Sequence, residues 1–207
     1  INNDNANKNI STLIADVIFN KHYINLFDFS IDRIKEIVSY INKENPKIIQ
    51  LYASAAYQMA QVILTKGYKI TSPPKMLMCI AGTIHKDKIS LVEKAFMAPM
   101  LSRYGSRETG DMMGFCNNRV YHEIPNTHHI EIINNDRYNS TANIGEISVT
   151  TLKNRAMPII RYKIGDIGIS NDIVCSCGCN FRVFNNIEGR VGDVIVNKSG
   201  KLFLPEV

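Results

Sequence analysis

The residues at 104–110, YGSRETG, join an aromatic ring, two glycines, hydroxyls and a carboxylate in one short run. Tyr104 offers a ring to stack on a base, and Gly105 lets a backbone approach closely. Ser106 offers a hydroxyl to phosphate, and Glu108 a carboxylate to Mg²⁺. The same run also fits a Gly-bounded loop with a surface Glu. A second run, at 158–166 (PIIRYKIGD), ends on Asp166 after a glycine. An Asp there can accept both hydroxyls of a ribose, or simply close an Asx turn. A third, at 189–195 (GRVGDVI) with Ser199 and Gly200 beyond, places Arg190 where it could meet phosphate or ribose. Two glycines around a charged pair suit a hinge; the alternative is a β-hairpin connection.

The thiols form a second group. Cys116 and His122 are six apart, and Cys175 and Cys177 make a CxC pair further on. Together they are a Cys₃His set suited to tetrahedral Zn²⁺, with all four positions filled and hence structural. Cys179 is a spare that could replace Cys175 or Cys177. The alternative is that the thiols are small buried hydrophobes and His122 a satisfied polar residue.

These residues need elements to hold them. Residues 10–23 have helical spacing of apolar positions. Ser30 caps a helix whose Ile31, Ile34, Ile37, Val38 and Ile41 share one face, and Pro46 follows its end. Residues 47–52 (KIIQLY), 75–81 (KMLMCIA) and 100–104 predict strands, with helices over 54–66 and 85–96 between them. Strand and helix in alternation at these lengths predict a parallel sheet, with ligands beyond the carboxyl ends of its strands. YGSRETG starts at such an end. After Phe115 short β-like runs at 130–133, 145–151, 158–162 and 167–170 are punctuated by Asn, Gly and Asp. The expected fold class is α/β: a parallel sheet with packed helices, then a small antiparallel β-barrel-like subdomain. The expected division is a parallel α/β subdomain over 1–115, a small β subdomain with the zinc site over 116–188, and a hinge with the start of a further domain over 189–207. His128 and His129, before a strand, are expected at the surface; His85 opens a helix as a cap neighbour.

Composition excludes some classes. Of 207 residues, 45% are hydrophobic and 21% charged, as in an ordinary globular core. The net charge is +5, but Lys and Arg are scattered. Without a basic stripe and exposed aromatics, no nucleic-acid partner is expected. No apolar run suits a membrane span, and no basic-then-apolar leader argues for secretion, so a cytoplasmic location is expected. Ile1 and the closing Pro205, Glu206 and Val207 read like cuts through a longer protein.

Taken in order, these segments resemble the adenylate-forming ligase superfamily, within it the phenylacetate–CoA ligase and capsular-polysaccharide (CapK) branch. YGSRE-x-G looks like that branch's aromatic–Gly–hydroxyl–x–acid loop. GEISVTTL and MPIIRYKIGD are similar to its G-E-x-x-x-T-x-L strand and P-x-I-R-Y-x-x-G-D segment, and EGRVGDVIV to its G-R-x-D-D hinge. The resemblance runs from about Tyr52 onward and makes the chain part of the family's large N-terminal domain. It implies that Tyr104 stacks on adenine, Ser106 holds the α-phosphate and Glu108 binds Mg²⁺. Asp166 would hold the ribose hydroxyls, and Arg190 would contact the nucleotide near the hinge. Relatives with a C-x₅-H and a CxCG look like they carry the same zinc set. The implied reaction joins ATP and a carboxylic acid into an acyl adenylate, usually passed to a thiol such as CoA.

The departures from the family pattern matter. Gly192 stands where the hinge has its first acid, leaving Asp193 as the second, and Thr83 stands where relatives often have an acid. No Ser/Thr/Gly-rich phosphate loop and no candidate for the family's catalytic Lys are legible. The chain is therefore expected to be inactive alone, as a fragment of a larger ligase. A non-catalytic nucleotide-binding or zinc-stabilised interaction module is the alternative.

Overall fold

A computed structural model describes residues 10–80, 86–134, 144–171, 173–193, 195–196 and 202–203. The opening Asn-rich residues, Thr83, His85, Ser199 and Gly200 lie outside them. Helix α1 spans Ile10–Ile18, shorter than its apolar pattern, and ends as Asn20 turns to positive φ. Helix α2, Ile31–Glu44, begins where Ser30 Oγ accepts from the Arg33 amide. It ends where Asn45, in the left-handed region, returns its amide to the Ile41 carbonyl. Its Ile34, Ile37, Val38 and Ile41 are buried, as their spacing requires.

Strand β1 (Ile48–Tyr52), helix α3 (Ala53–Lys66), β2 (Met76–Ile80), α4 (Lys86–Phe96) and β3 (Met100–Ser106) follow in alternation. β1, β2 and β3 pair in parallel. Helices α2, α3 and α4 bury a core with them that includes Ala56, Ala60, Leu77 and Phe96. Cys79 lies in this core, and burial pushes its thiol up to about 11, so it is inert.

β3 then changes partner. Its first three residues, Met100, Leu101 and Ser102, pair with β2, and the rest, from Arg103 to Ser106, pair antiparallel with β4 (Gly110–Phe115). Beyond β4 come β5 (Tyr121–Glu123), β6 (His128–Ile133), β7 (Ile144–Thr151), β8 (Tyr162–Asn171) and β9 (Val183–Arg190). The sheet runs β1-β2-β3-β4-β5-β9-β8-β7-β6, nine strands with β1 and β6 as edges. It is open, which corrects the barrel-like expectation: the antiparallel strands extend the parallel sheet through β3 instead of closing on themselves. Met112, Met113, Ile130, Ile147 and Phe184 form a second core, and Phe115 packs against both. A single turn of 3₁₀ helix (Val191–Asp193) and a two-stranded pair, β10 (Ile195–Val196) with β11 (Leu202–Phe203), follow β9.

Two further expectations are corrected. The run at 158–162 is not a strand. Pro158 has no amide to donate, and Arg161, at positive φ, gives its amide to the Thr150 hydroxyl, so the Thr151 amide on the Ile159 carbonyl is the backbone pairing this run makes before β8 starts at Tyr162. His128 is 6% exposed, not a surface residue, because it faces inward at the start of β6; its neighbour His129 points out.

Candidate nucleotide and metal sites

YGSRETG is a β-hairpin. Tyr104, Gly105 and Ser106 end β3, the turn takes Arg107 to Thr109, and Gly110 opens β4 at a φ of 77°. A bulge between Tyr104 and Gly105 tightens it. A Cβ on Gly105 would stand 2.2 Å from the Gly110 carbonyl oxygen, so the close approach this glycine permits is to its own hairpin partner. Ser106 Oγ accepts from the Thr109 amide at 3.3 Å and lies 3.0 Å from the Thr109 hydroxyl. Glu108 projects from the turn. A bond from Ser106 lowers its pKa first, its own amide adds to this, and the Arg190 and Arg107 charges add a little more.

The hairpin meets β8 and β9 through Asp166. The Tyr104 hydroxyl donates to Asp166 Oδ2 at 2.7 Å, and Arg190 Nε donates to Oδ1 at 3.0 Å. Asp166 and Arg190 are directly opposite on neighbouring strands, and Arg190 Nη1 also donates to the Ile164 carbonyl at 2.9 Å. The carboxylate is nearly covered at 14% exposure while the guanidinium is open at 64%. Burial, then the Asp166 charge, raises the Tyr104 pKa, so its hydroxyl remains a donor. Each Asp166 oxygen still has a lone pair free for a further donor. The Tyr104 ring is backed by Tyr121, edge-on at 6.4 Å, whose hydroxyl is 3.0 Å from Ser102 Oγ.

Tyr104, Ser106, Glu108, Asp166 and Arg190 thus stand near one another across β3, its turn, β8 and β9, although 62 residues separate Tyr104 from Asp166. Tyr121 and Ser102 escaped notice in the sequence, where no spacing ties them to the motifs.

The second site joins the β4–β5 turn to the loop before β9. The ligand atoms of Cys116, His122, Cys175 and Cys177 all lie within 4.8 Å of one another. Cys116 Sγ and Cys175 Sγ are 3.8 Å apart, and Cys177 Sγ is 3.4 Å from His122 Nε2. A tetrahedral zinc has S···S edges of about 3.8 Å and S···N edges of roughly 3.5 Å, so the donor set fits such an ion. His122 Nδ1 donates to the Phe181 carbonyl at 3.1 Å, which leaves Nε2 facing the thiols. Asn118 donates to Cys175 Sγ at 3.3 Å; its place between Cys116 and His122 was the available signal for it. The Cys179 amide donates to Cys177 Sγ at 3.4 Å, and its thiol is not in the cluster.

The thiols are tuned unequally. The Cys175 pKa is lowered to about 6, by the Cys177 amide above all, with Asn118 and His122 adding and burial opposing. For Cys177 the Cys179 amide pulls down, but burial and the Cys175 and Cys116 thiols leave it raised. Arg119, at positive φ in the Cys116 turn, pairs with Glu93 of α4, which also accepts from the Met100 amide. The metal turn is therefore tied to the parallel unit. Among the described residues no helix is long and apolar enough to cross a membrane.

No family model matches the chain. Over 148 residues it is 24% identical to the Staphylococcus aureus protein CapK, covering 69% of this chain and 31% of CapK. The structure matches 2-hydroxyisobutyryl-CoA ligase, solved in the postadenylation state with 2-HIB-AMP, at a TM-score of 0.70 and 17% identity over 87% of this chain and 40% of that one. It matches the amide bond synthetase McbA from Marinactinospora thermotolerans at 0.57 and 14%, over 86% of this chain and 38% of that one. The chain spans about a third of the length of CapK and less than half that of these solved ligases. It has, in part, the fold of an adenylate-forming ligase: the stretch of nine-stranded sheet on which the hairpin, Asp166 and Arg190 converge.

Proposed function

We propose that this chain supplies the adenosine-binding wall of an ATP-dependent ligase that activates a carboxylic acid as its acyl adenylate and passes it to CoA, in the manner of phenylacetate–CoA ligase. The proposed setting is the cytoplasm, and the likeness to CapK favours a part in capsular polysaccharide biosynthesis. The observation that carries the reading is the bridge Tyr104–Asp166–Arg190, which joins an aromatic ring, a carboxylate and an exposed guanidinium from three strands. Asp166 takes the ribose hydroxyls on its free lone pairs, Tyr104 offers its ring to adenine, and Arg190 lies beside the sugar and phosphate. Ser106 and Glu108 face the α-phosphate, which the acid's carboxylate oxygen attacks as pyrophosphate leaves. Mg²⁺ held at Glu108 would neutralise phosphate charge there. In the Cys₃His set Zn²⁺ is structural, since four protein ligands fill its shell. The division at 115 and 188 separates the parallel unit, the zinc-bearing β unit and a hinge in which Gly192 replaces an acid.

Acid-dependent pyrophosphate release from the complete ligase, across a panel of carboxylic acids, tests the reading. Nucleotide binding with no such release would identify a binding module instead. In the active ligase Glu108→Gln is expected to cut the rate at saturating ATP by roughly 100-fold with little change in ATP affinity. A normal rate would remove Glu108 from the metal. Residues 1–207 alone are expected to bind nucleotide weakly and release no pyrophosphate with any acid. Their site residues all stand on one sheet and form one wall, and α-phosphate attack also needs the triphosphate cradled and water excluded. Acid-dependent release from the chain alone would overturn this.

A further inference from the structure

We propose that His128 is a positioning residue that fixes the Glu108 turn, so that a Mg²⁺-bound triphosphate meets a set hairpin. The inference rests on the reading of the site just given. β6, which His128 opens, is the far edge of the sheet, five places from β4. Yet His128 Nε2 lies 2.8 Å from the Thr109 carbonyl oxygen, the last residue of the turn. A carbonyl only accepts, so Nε2 carries the hydrogen. On its other side Nδ1 lies 2.9 Å from Thr127 Oγ1, and that hydroxyl is also within 3.2 Å of the Ile124 carbonyl. The ring is thus buried and held at both nitrogens, which leaves it one orientation.

Among the described residues, the other side-chain hydrogen bonds of Thr109 stay within the hairpin. Inside the hairpin, Ser106 Oγ holds the Thr109 amide, and Ser106 also bonds Glu108. His128 holds the same residue from β6, through its carbonyl. Ser106 and Glu108 are therefore referred to the body of the sheet through Thr109, and the hydrogen bonds of His128 go to Thr109 and Thr127, not to Tyr104, Asp166 or the metal cluster. Its loss should disturb the phosphate end of the site and spare the adenosine end.

The test has an arm that does not depend on the proposed function. Amide exchange at Thr109, whose N–H reports closure of the turn on Ser106, is measured in His128→Phe and His128→Gln. Exchange is expected to rise about tenfold in His128→Phe, the worth of one buried hydrogen bond, and to stay within about threefold of wild type in His128→Gln, whose amide can still donate. Unchanged exchange in His128→Phe overturns the proposal. If that variant does not fold, Thr127→Val, which removes the Nδ1 partner and keeps the ring, is read in its place, and unchanged exchange there overturns it equally. The second arm compares AMP without metal against ATP with Mg²⁺. His128→Phe should weaken Mg²⁺-dependent ATP binding about tenfold and leave AMP within about twofold; parallel losses would mark general damage and reject positioning. A wild-type protein that binds neither nucleotide would sink the proposed function, and the exchange arm alone would then decide His128.

Discussion

Cys177→Ser is expected to lower the melting temperature by roughly 10 °C and to abolish stoichiometric zinc. The reason is chain connectivity. The cluster ties Cys116 to Cys175, a separation of 59 residues that encloses β5 to β8. Cross-linking a loop of that length removes about 4 kcal/mol of unfolded-state freedom on the loop-entropy account. For a chain of this size each kcal/mol shifts the midpoint by about 2–4 °C. Elemental analysis of protein prepared without chelator should give about one zinc per chain. Chelation of the wild type should reproduce the shift, and the variant should then no longer respond to chelator. The pH dependence has a definite sign. A thiol whose pKa is depressed on folding stabilises the fold above its ordinary value, and the benefit is lost as pH falls through the folded value. Zinc holds its sulfur ligands as thiolates, so the stabilisation the metal provides should fade on acidification as protons compete for those sulfurs. Metal-free protein with an unshifted midpoint in Cys177→Ser would reject the site.

The second large effect is expected at Asp166. In the complete ligase Asp166→Ala should weaken ATP binding by 100-fold or more and leave the affinity for the acid nearly unchanged. Two charge-assisted hydrogen bonds to ribose hydroxyls are worth roughly 1.5–3 kcal/mol each. The substitution also strips the Tyr104 hydroxyl and the Arg190 guanidinium of their shared partner, so both ends of the bridge lose their aim. Titration with a fluorescent ATP analogue reads the first effect and equilibrium binding of the acid the second. Unchanged ATP affinity would remove Asp166 from the site.

Much of the α/β half was legible in the sequence because its signals are local. The Ser30 cap, the isoleucine stripe of α2 and the strand–helix alternation up to β3 need no knowledge of distant residues. The antiparallel half was harder. β9 reads VFNNIEGR, with two asparagines and a glycine in place of clean alternation, and it is a strand because β5 and β8 flank it. Whether such strands close or stay open depends on register and on what β3 pairs with, which no local pattern encodes. The site residues were marked by type and order, but their convergence belongs to the fold. Nothing near His128 in the chain announces that it faces a turn 19 residues earlier.

β3 belongs to two ladders of different character, and this sets an order of events in time. Its antiparallel end closes on β4 across a tight turn, a step that takes about 1–10 μs for a hairpin. Its parallel end must wait for β2 to return through the 11 residues of α4, and for β1 beyond the 14 residues of α3. Non-local pairing of that kind is slow, because the loop entropy is lost before any contact repays it. The hairpin that carries Tyr104, Ser106 and Glu108 can therefore form as one of the earliest structures of the folding chain, a ready-made edge on which the parallel strands are later laid down.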